Sequence, residues 1–479
     1  MGFTVFDGED NRVCHHVRDG ARFQRGPTKD TCDVVVIGAG ISGLTAAYKL
    51  KENFVVKIIE KENRIGGAAK RGNWKGIYYS YGTADTGPGY EIDYEGKKVN
   101  FLDPLFKELG VPWKKIVDPS DAFMFENHVV VDTFDRSGAH SSTSNEDRWG
   151  FREALGLVED LQEKYGRPVI PPEASSPEWI ELDKKNFRTM FLNSSEYFLR
   201  FLERYSRSTF GAPANEISAF VGLYYLSREL QDRYACPGGN SCVSEGLAAH
   251  LGDSIELNAT VVSIEQDSNN CFVTYIDGQG LEITVQSKAV VWACQKHYAP
   301  YVIKGLPEEQ KQAFTKVRYD SFIVANVLTK EIFYDAAFAT YFEDTLFTDM
   351  IIADWMVTNG NKKVGSGEPE VYTLYCPIGE HNRSKVLAEP AENWVRVIMK
   401  GLKKYFPEAE KSVEDIKLFR YGHHYVLGYP GFITGPRTIA KRPWGRIFFA
   451  KDDMQGVPCL ESAVWSGIDA SSKLREKLG

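Results

Sequence analysis

No stretch of this 479-residue chain approaches the roughly 18 consecutive apolar residues of a membrane span, so no integral membrane segment is expected. Long basic runs are missing too, and the formal net charge is −8. Nucleic acid and anionic membrane are therefore poor candidates as main partners, because both are bound through clustered Lys and Arg. The opening residues, MGFTVFDGEDNRVCHHVRDG, lack the apolar core of a secretory signal, and residues 1–31 read as a polar extension ahead of the first strand. Cysteine is sparse. The eight residues Cys14, Cys32, Cys236, Cys242, Cys271, Cys294, Cys376 and Cys459 fit no zinc spacing and no CxxC pair. Several sit in apolar strand-like runs, so reduced thiols in a reducing, cytoplasmic compartment are the expectation. The pairs His15–His16 and Asp452–Asp453 find no third ligand at a convincing spacing, and no metal site is expected. Internal repeats and low-complexity tracts are absent.

What is present describes a large globular protein. Hydrophobic residues make up 43% and charged residues 25% of the chain. At roughly 100–200 residues per domain this length allows two to four domains. Aromatics are high at 13%, which fits aromatic core packing or an aromatic-lined pocket. The run DVVVI at 33–37 suits a parallel strand buried on both faces. A Gly-rich turn, a helix over 43–53 and the β-branched run FVVKII at 54–59 complete a βαβ unit. Composition predicts loops at 137–148 and 171–177, and helices at 151–165, 187–208 and 215–231 as an inserted helical block. Strands are predicted at 254–265, 271–276, 281–286 and 288–294, with more β structure at 319–330 and 337–376. A helix at 391–405, an ordered loop at 421–436, a strand at 446–450 and a helix at 461–477 end the chain.

The turn reads GAGISG, so Gly38, Gly40 and Gly43 form a GxGxxG directly after a strand and opening a helix. Gly38 permits the tight turn, Gly40 the approach of a pyrophosphate, and Gly43 close helix–strand packing. Ile41 and Ser42 then lie at the helix N-terminus, whose free N–H groups favour phosphate. Glu60 closes the second strand, 20 residues after Gly40, where a carboxylate accepts hydrogen bonds from ribose hydroxyls. An acid there favours FAD or NAD over NADP.

Residues 60–67, EKENRIGG, separate FAD from NAD. In flavoproteins of the amine oxidase and phytoene desaturase superfamily, the strand-end acid is followed by an Arg and a Gly-Gly pair at this spacing. Glu60, Arg64, Gly66 and Gly67 match, and the sequence resembles that superfamily. The resemblance adds Lys61 and Ala68 to the expected FAD contacts. Ala68 departs from the family, which often has Arg or Lys there; Lys70 and Arg71 are the candidate substitutes. Residues 78–90, YYSYGTADTGPGY, are expected to pass beside the flavin ring through Gly82 and Thr83. Residues 237–264 resemble a segment whose backbone meets the adenine, at Val262. The C-terminal stretch GRIFFAKDDMQGVPCLESAVWSGIDAS resembles the flavin-side segment. It places Asp452 and Asp453 near the ribityl chain, and Glu461, Ser462 and Ala463 at the flavin N1–C2=O edge. Lys451 and Ser462 stand where Gly is frequent.

The resemblance implies an α/β fold. A Rossmann-type FAD-binding domain would be assembled from the discontinuous segments 32–100, 235–300 and 437–479, and an α+β substrate-binding domain from 101–234 and 301–436. The implied chemistry is hydride transfer from an amine carbon to flavin N5, giving an imine, with reoxidation by O₂ or another acceptor. The substrate would be a small molecule. Many relatives carry a Lys near flavin N5, but the matching stretch 319–328 has Val324 or a neighbour at that place and no Lys. Its absence favours a dehydrogenase of the spermidine dehydrogenase-like branch, or a desaturase-type enzyme. Desaturation or double-bond isomerisation of a lipophilic substrate is therefore the alternative. A monooxygenase using NAD(P)H lacks a second GxGxxG, and a non-enzymatic flavin module is the remaining reading.

Candidate catalytic groups lie in RYGHHYVLGYPGF, 420–432. His423 is read as a general base or orienting group, because an ordinary imidazole titrates near neutrality. His424, Tyr425 and Tyr429 are candidate pocket residues, against the alternative of loop or core roles. Cys459 is read as structural. No Arg lies between Arg71 and Arg136 to clamp a substrate carboxylate, which argues against an amino acid unless Arg188, Arg318 or Arg437 reaches the pocket.

Overall fold

The protein is described by a computed structural model covering residues 4–6, 10–23, 25–125, 128–134 and 145–479. Its organising element is a five-stranded parallel sheet in the order 255–256, 56–59, 34–37, 289–292, 447–449. Strand Val34–Ile37 lies at its centre with all four residues buried, as an all-aliphatic run covered on both faces requires. Helix Ile41–Leu50 follows the Gly-rich turn and packs against the C-terminal helix Leu460–Leu478. The start and the end of the chain therefore meet in one layer, which is the α/β architecture expected.

Two further sheets complete the frame. The strands 260–266, 271–276 and 282–287 form an antiparallel meander, and Thr28–Thr31 joins its edge in parallel. An eight-stranded mixed sheet runs 4–6, 413–421, 322–329, 370–377, 349–352, 339–342, 121–125, 128–131. Helices Asn145–Tyr165, Glu196–Phe210 and Ala219–Glu229 form the helical block. Aromatic rings hold it together. Phe201 alone meets Phe123, Phe134, Phe151, Phe198, Tyr205 and Tyr341 at centroid separations of 5.1–6.3 Å. Much of the aromatic content is thus core.

Several local expectations change. Of the loop predicted at 137–148, residues 137–144 lie outside the described residues and Asn145 already begins a helix. The Pro-rich stretch 171–177 contains a 3₁₀ turn at Pro172–Ala174, and Pro177 starts a short helix at a position that needs no N–H partner. The predicted helix 187–208 is broken into a 3₁₀ turn, Phe187–Phe191, and a helix capped by Ser195, whose Oγ accepts from Phe198 N at 3.2 Å. Residues 1–31 contain a strand, the helix Arg12–Arg18 and a second strand. Cys236 and Cys242 form a disulfide, which corrects the expectation of reduced thiols for these two. The turn through Gly238 and Gly239 folds them together, a proximity that their spacing does not reveal. No described helix is long and apolar enough to cross a membrane.

Candidate active site

The Gly-rich turn forms one wall of an open cleft with about 1480 Å³ of empty space. Gly38, Gly40, Ile41 and Ser42 line it, facing Gly66, Gly67 and Ala68. The two turns dock directly: Gly66 N donates to Ala39 O at 2.8 Å, and Gly40 and Gly66 form a parallel bridge. Gly38, Gly43 and Gly66 leave no room for a side chain. A Cβ on Gly43 would stand 1.9 Å from the Gly38 carbonyl oxygen. Gly43 therefore lies behind the wall and sets its shape. Glu60 and Lys61 line the cleft as well. One Glu60 oxygen accepts from Ala39 N at 2.6 Å, and burial raises the pKa of its carboxyl.

Strand Thr260–Gln266 and the C-terminal helix close the other sides. Thr260 and Val261 line the cleft, whereas Val262, the expected adenine contact, is buried in the core beside a register shift in that strand. The bulge rotates the neighbouring side chains. Asp452 and Ala463 reach the cleft. Asp453 does not. It is fully buried, holding Lys296 Nζ at 3.0 Å and the Tyr319 hydroxyl at 2.5 Å. Ser462 is likewise buried behind the helix start. Arg64 lies over the ring of Tyr81 at 4.6 Å rather than in the cleft. Lys70 pairs with Glu62 and Arg71 with Glu245, so these ion pairs already engage the candidate substitutes for Ala68.

A second cavity of about 940 Å³ abuts the first. Thr83, Asn240, Tyr425, Pro458, Cys459 and Leu460 line both and form the junction. Gly82 and Glu461 belong to the second cavity only. Its walls carry Tyr225, Tyr341, Tyr375 and Tyr425, and four carboxylates, Asp85, Glu229, Asp349 and Glu461, against the guanidiniums of Arg228 and Arg233. Arg228 pairs with Glu461. Arg233 lies 3.6 Å from both Glu229 and Asp85. Among the described residues no ion pair joins Asp349 to a cation; its carboxylate accepts from Thr348 Oγ1 at 2.9 Å and also bonds Ser208. Burial pushes its pKa up to about 7. Burial does the same to Glu229, also to about 7, although Arg233 opposes the shift.

The first cleft suits an elongated ligand with phosphates. It has a bare backbone wall, a helix N-terminus and a strand-end acid. It also presents buried polar atoms without hydrogen-bond partners, Thr83 Oγ1 and Asn240 Oδ1, where the two cavities meet. Comparison with known proteins names the family: the profile of flavin-containing amine oxidoreductases matches residues 41–474. The chain belongs to this family. It is 24% identical to oxidoreductase PigB of Serratia sp. over 94% of this chain and 76% of that one. It is also 24% identical to flavin-containing amine oxidase A of Sus scrofa, over 93% and 85% of the two chains. Among solved structures, putrescine oxidase bound to putrescine aligns with a TM-score of 0.69 at 20% identity, over 93% of this chain and 99% of that one. Cyclohexylamine oxidase from Brevibacterium oxydans gives 0.67 at 20% identity, over 93% and 99%. The protein is an FAD-dependent oxidoreductase.

Within this amine oxidoreductase the loop 420–432 divides its histidines and tyrosines unexpectedly. His423 lines the FAD cleft, not the second cavity, and stacks on His297 at 3.8 Å. Burial, with the neighbouring His297 and Arg383, lowers its pKa to about 2. A base that weak takes up no proton near neutrality, so the general-base reading of His423 loses its ground. His424 is also a cleft residue, packed edge-on to Tyr421 at 4.5 Å and Tyr425 at 4.2 Å. Tyr425 stands at the junction, and burial raises its pKa above the usual range, so it is a neutral phenol. Tyr429 donates to Lys316 O at 3.0 Å outside either cavity. Val324 is buried mid-strand opposite Tyr375 and Phe419. Sequence reasoning missed Asn11, Cys14, Asn240, His297 and Tyr298 in the cleft, and Asp85, Glu229 and Asp349 in the second cavity. None of these has a local spacing signal. Lys451 did have one: it occupies a position where glycine is frequent, and it takes φ 101°, ψ 153°, a conformation that glycine favours.

Proposed function

We propose that the protein oxidises a C–N bond of a small amine, the substrate lying in the second cavity with its reacting carbon at the Tyr425 junction. The observation that carries this reading is the excess of carboxylate over guanidinium in the cavity adjoining the first cleft. Bound FAD supplies the two-electron acceptor. The chain's own residues select and orient the substrate. Arg228 and Arg233 engage their neighbouring acids, and Asp349 is left to attract a cation. An amine with a second, protonated nitrogen fits: that ammonium sits on Asp349, while the reacting nitrogen releases its proton to solvent and binds among neutral tyrosines as the free amine. A hydride leaves only a carbon bonded to a neutral amine. The lipophilic alternative would require a mostly apolar wall, and four carboxylates make such a wall costly to desolvate.

Anaerobic flavin bleaching tests the proposal. Diamines and polyamines are expected to reduce the flavin fastest, monoamines more slowly, and amino acids and unsaturated lipids not at all. Failure of every amine to bleach the flavin, with turnover or isomerisation of a lipid, would sink the C–N reading.

A further inference from the structure

The family profile begins at residue 41, yet the cleft is lined in part by residues 11 and 14. Asn11 and Cys14 line the cleft together with Glu60, Lys61, Glu62 and Val261, and a strand-end acid such as Glu60 is where a ribose binds in dinucleotide folds. Asn11 Oδ1 accepts from Lys61 Nζ at 2.7 Å, joining the helix Arg12–Arg18 to the residue after that acid. The helix is anchored by Val17, which is 2% exposed and packs in the core with Val261, Trp292 and Val302. Both flanks are tied to different parts of the molecule. Strand Thr4–Phe6 pairs in parallel with Val413–Tyr421 of the eight-stranded sheet. Strand Thr28–Thr31 pairs in parallel with Glu282–Ser287 of the four-stranded sheet. The segment is thus a strap that runs from one sheet to another past the cleft.

We infer that this N-terminal strap is part of the FAD site and holds the adenosine half of the cofactor. The Asn11 amide, whose Oδ1 accepts from Lys61, would help hold the polar ribose and adenine edges, and Cys14 would add a small apolar contact. Asn11, Lys61 and Val17 place the helix; the cofactor completes its contacts. A ligand that binds only the docked strap stabilises that docking, and a docked strap tightens the ligand by the same factor.

Amide hydrogen exchange on the full-length protein, with FAD bound and after FAD removal, reads this coupling directly. The amides of residues 12–18 are expected to exchange about tenfold or more slowly in the FAD-bound form, since tenfold corresponds to one modest coupling. In parallel, FAD affinity is measured by flavin fluorescence for Asn11→Ala and Cys14→Trp, with unfolding of the FAD-free forms as a control. Both variants should bind FAD about tenfold more weakly, the indole more so because it fills the cleft. Equal exchange rates in the two forms overturn the inference, and so does unchanged FAD affinity in either folded variant. The exchange arm needs no substitution, so a variant that fails to fold leaves the test standing.

Discussion

The two cavities are built from different materials. The FAD cleft is walled by backbone: Gly38, Gly40, Gly66 and Gly67 bring two turns into contact, and the ligand meets N–H groups and a helix end. The adjoining cavity is walled by ionisable side chains brought from residues 85, 229, 349 and 461. Backbone sites tolerate almost no change and need particular residues at fixed local spacing. Side-chain sites arise wherever the fold converges, and their chemistry depends on which charges remain unpaired. That difference explains how one cofactor frame can serve many substrates.

The largest expected effect breaks the backbone wall. Gly43→Val puts a branched side chain where a Cβ already stands 1.9 Å from the Gly38 oxygen. Overpacking of this kind costs about 3 kcal/mol or more, so FAD affinity is expected to fall on the order of 100-fold, read as loss of the visible flavin spectrum at equal protein. Retained FAD would mean that the turn adapts as a side-chain wall does.

Asp349→Asn tests the other cavity. A charge-assisted hydrogen bond is worth roughly 1.5–3 kcal/mol, so kcat/KM for a diamine should fall about 10- to 100-fold while a monoamine is little affected. The wild-type rate with a diamine should rise through a pKa of about 7 as Asp349 ionises, and that limb should vanish in the variant. Stability gives the matching sign. Burial raises the Asp349 pKa above its ordinary 3.8, so the folded protein binds the proton more tightly. That contribution is fully present below 3.8 and is lost as the pH rises through about 7. The substrate-free Asn variant should therefore lose less stability than the wild type on going from acid to neutral pH, measured by thermal unfolding.

A smaller effect sharpens the comparison where the cleft departs from its backbone rule. Lys451 holds a glycine-like conformation beside Asp452, its ion-pair partner. Lys451→Gly and Lys451→Ala both remove the ammonium, but only glycine relieves the backbone. Thermal unfolding should place the Gly variant above the Ala variant by about 1–3 kcal/mol. The smallest expected effect belongs to His423. With a pKa lowered to about 2 it is neutral throughout the working range, so His423→Gln should leave the shape of the pH–rate profile near neutrality unchanged.

The frame was legible because its signals are local. DVVVI, GAGISG and EKENRIGG each lie within one short segment, and the steric demands of a parallel strand, a tight turn and a close turn–turn contact leave few residue choices. Helix 391–405 coincides with its expected range because its apolar stripe follows the helical period. Thr260 and Val261, not Val262, line the cleft, beside a bulge that no composition rule reports. Asp453 satisfied the family pattern, but Lys296 and Tyr319, far off in sequence, hold it in the core.

By itself, then, the sequence determined the α/β class and the dinucleotide turn through spacing over short stretches, and its resemblance to a flavoprotein superfamily supplied the preference for FAD. Tertiary structure alone decided the rest. It joined Cys236 to Cys242, laid the Arg12–Arg18 helix beside the cleft, stacked His423 on His297, and gathered four carboxylates from four distant segments, with Asp349 outside any ion pair among the described residues. Burial and long-range proximity set charge states, and both exist only once the chain has folded.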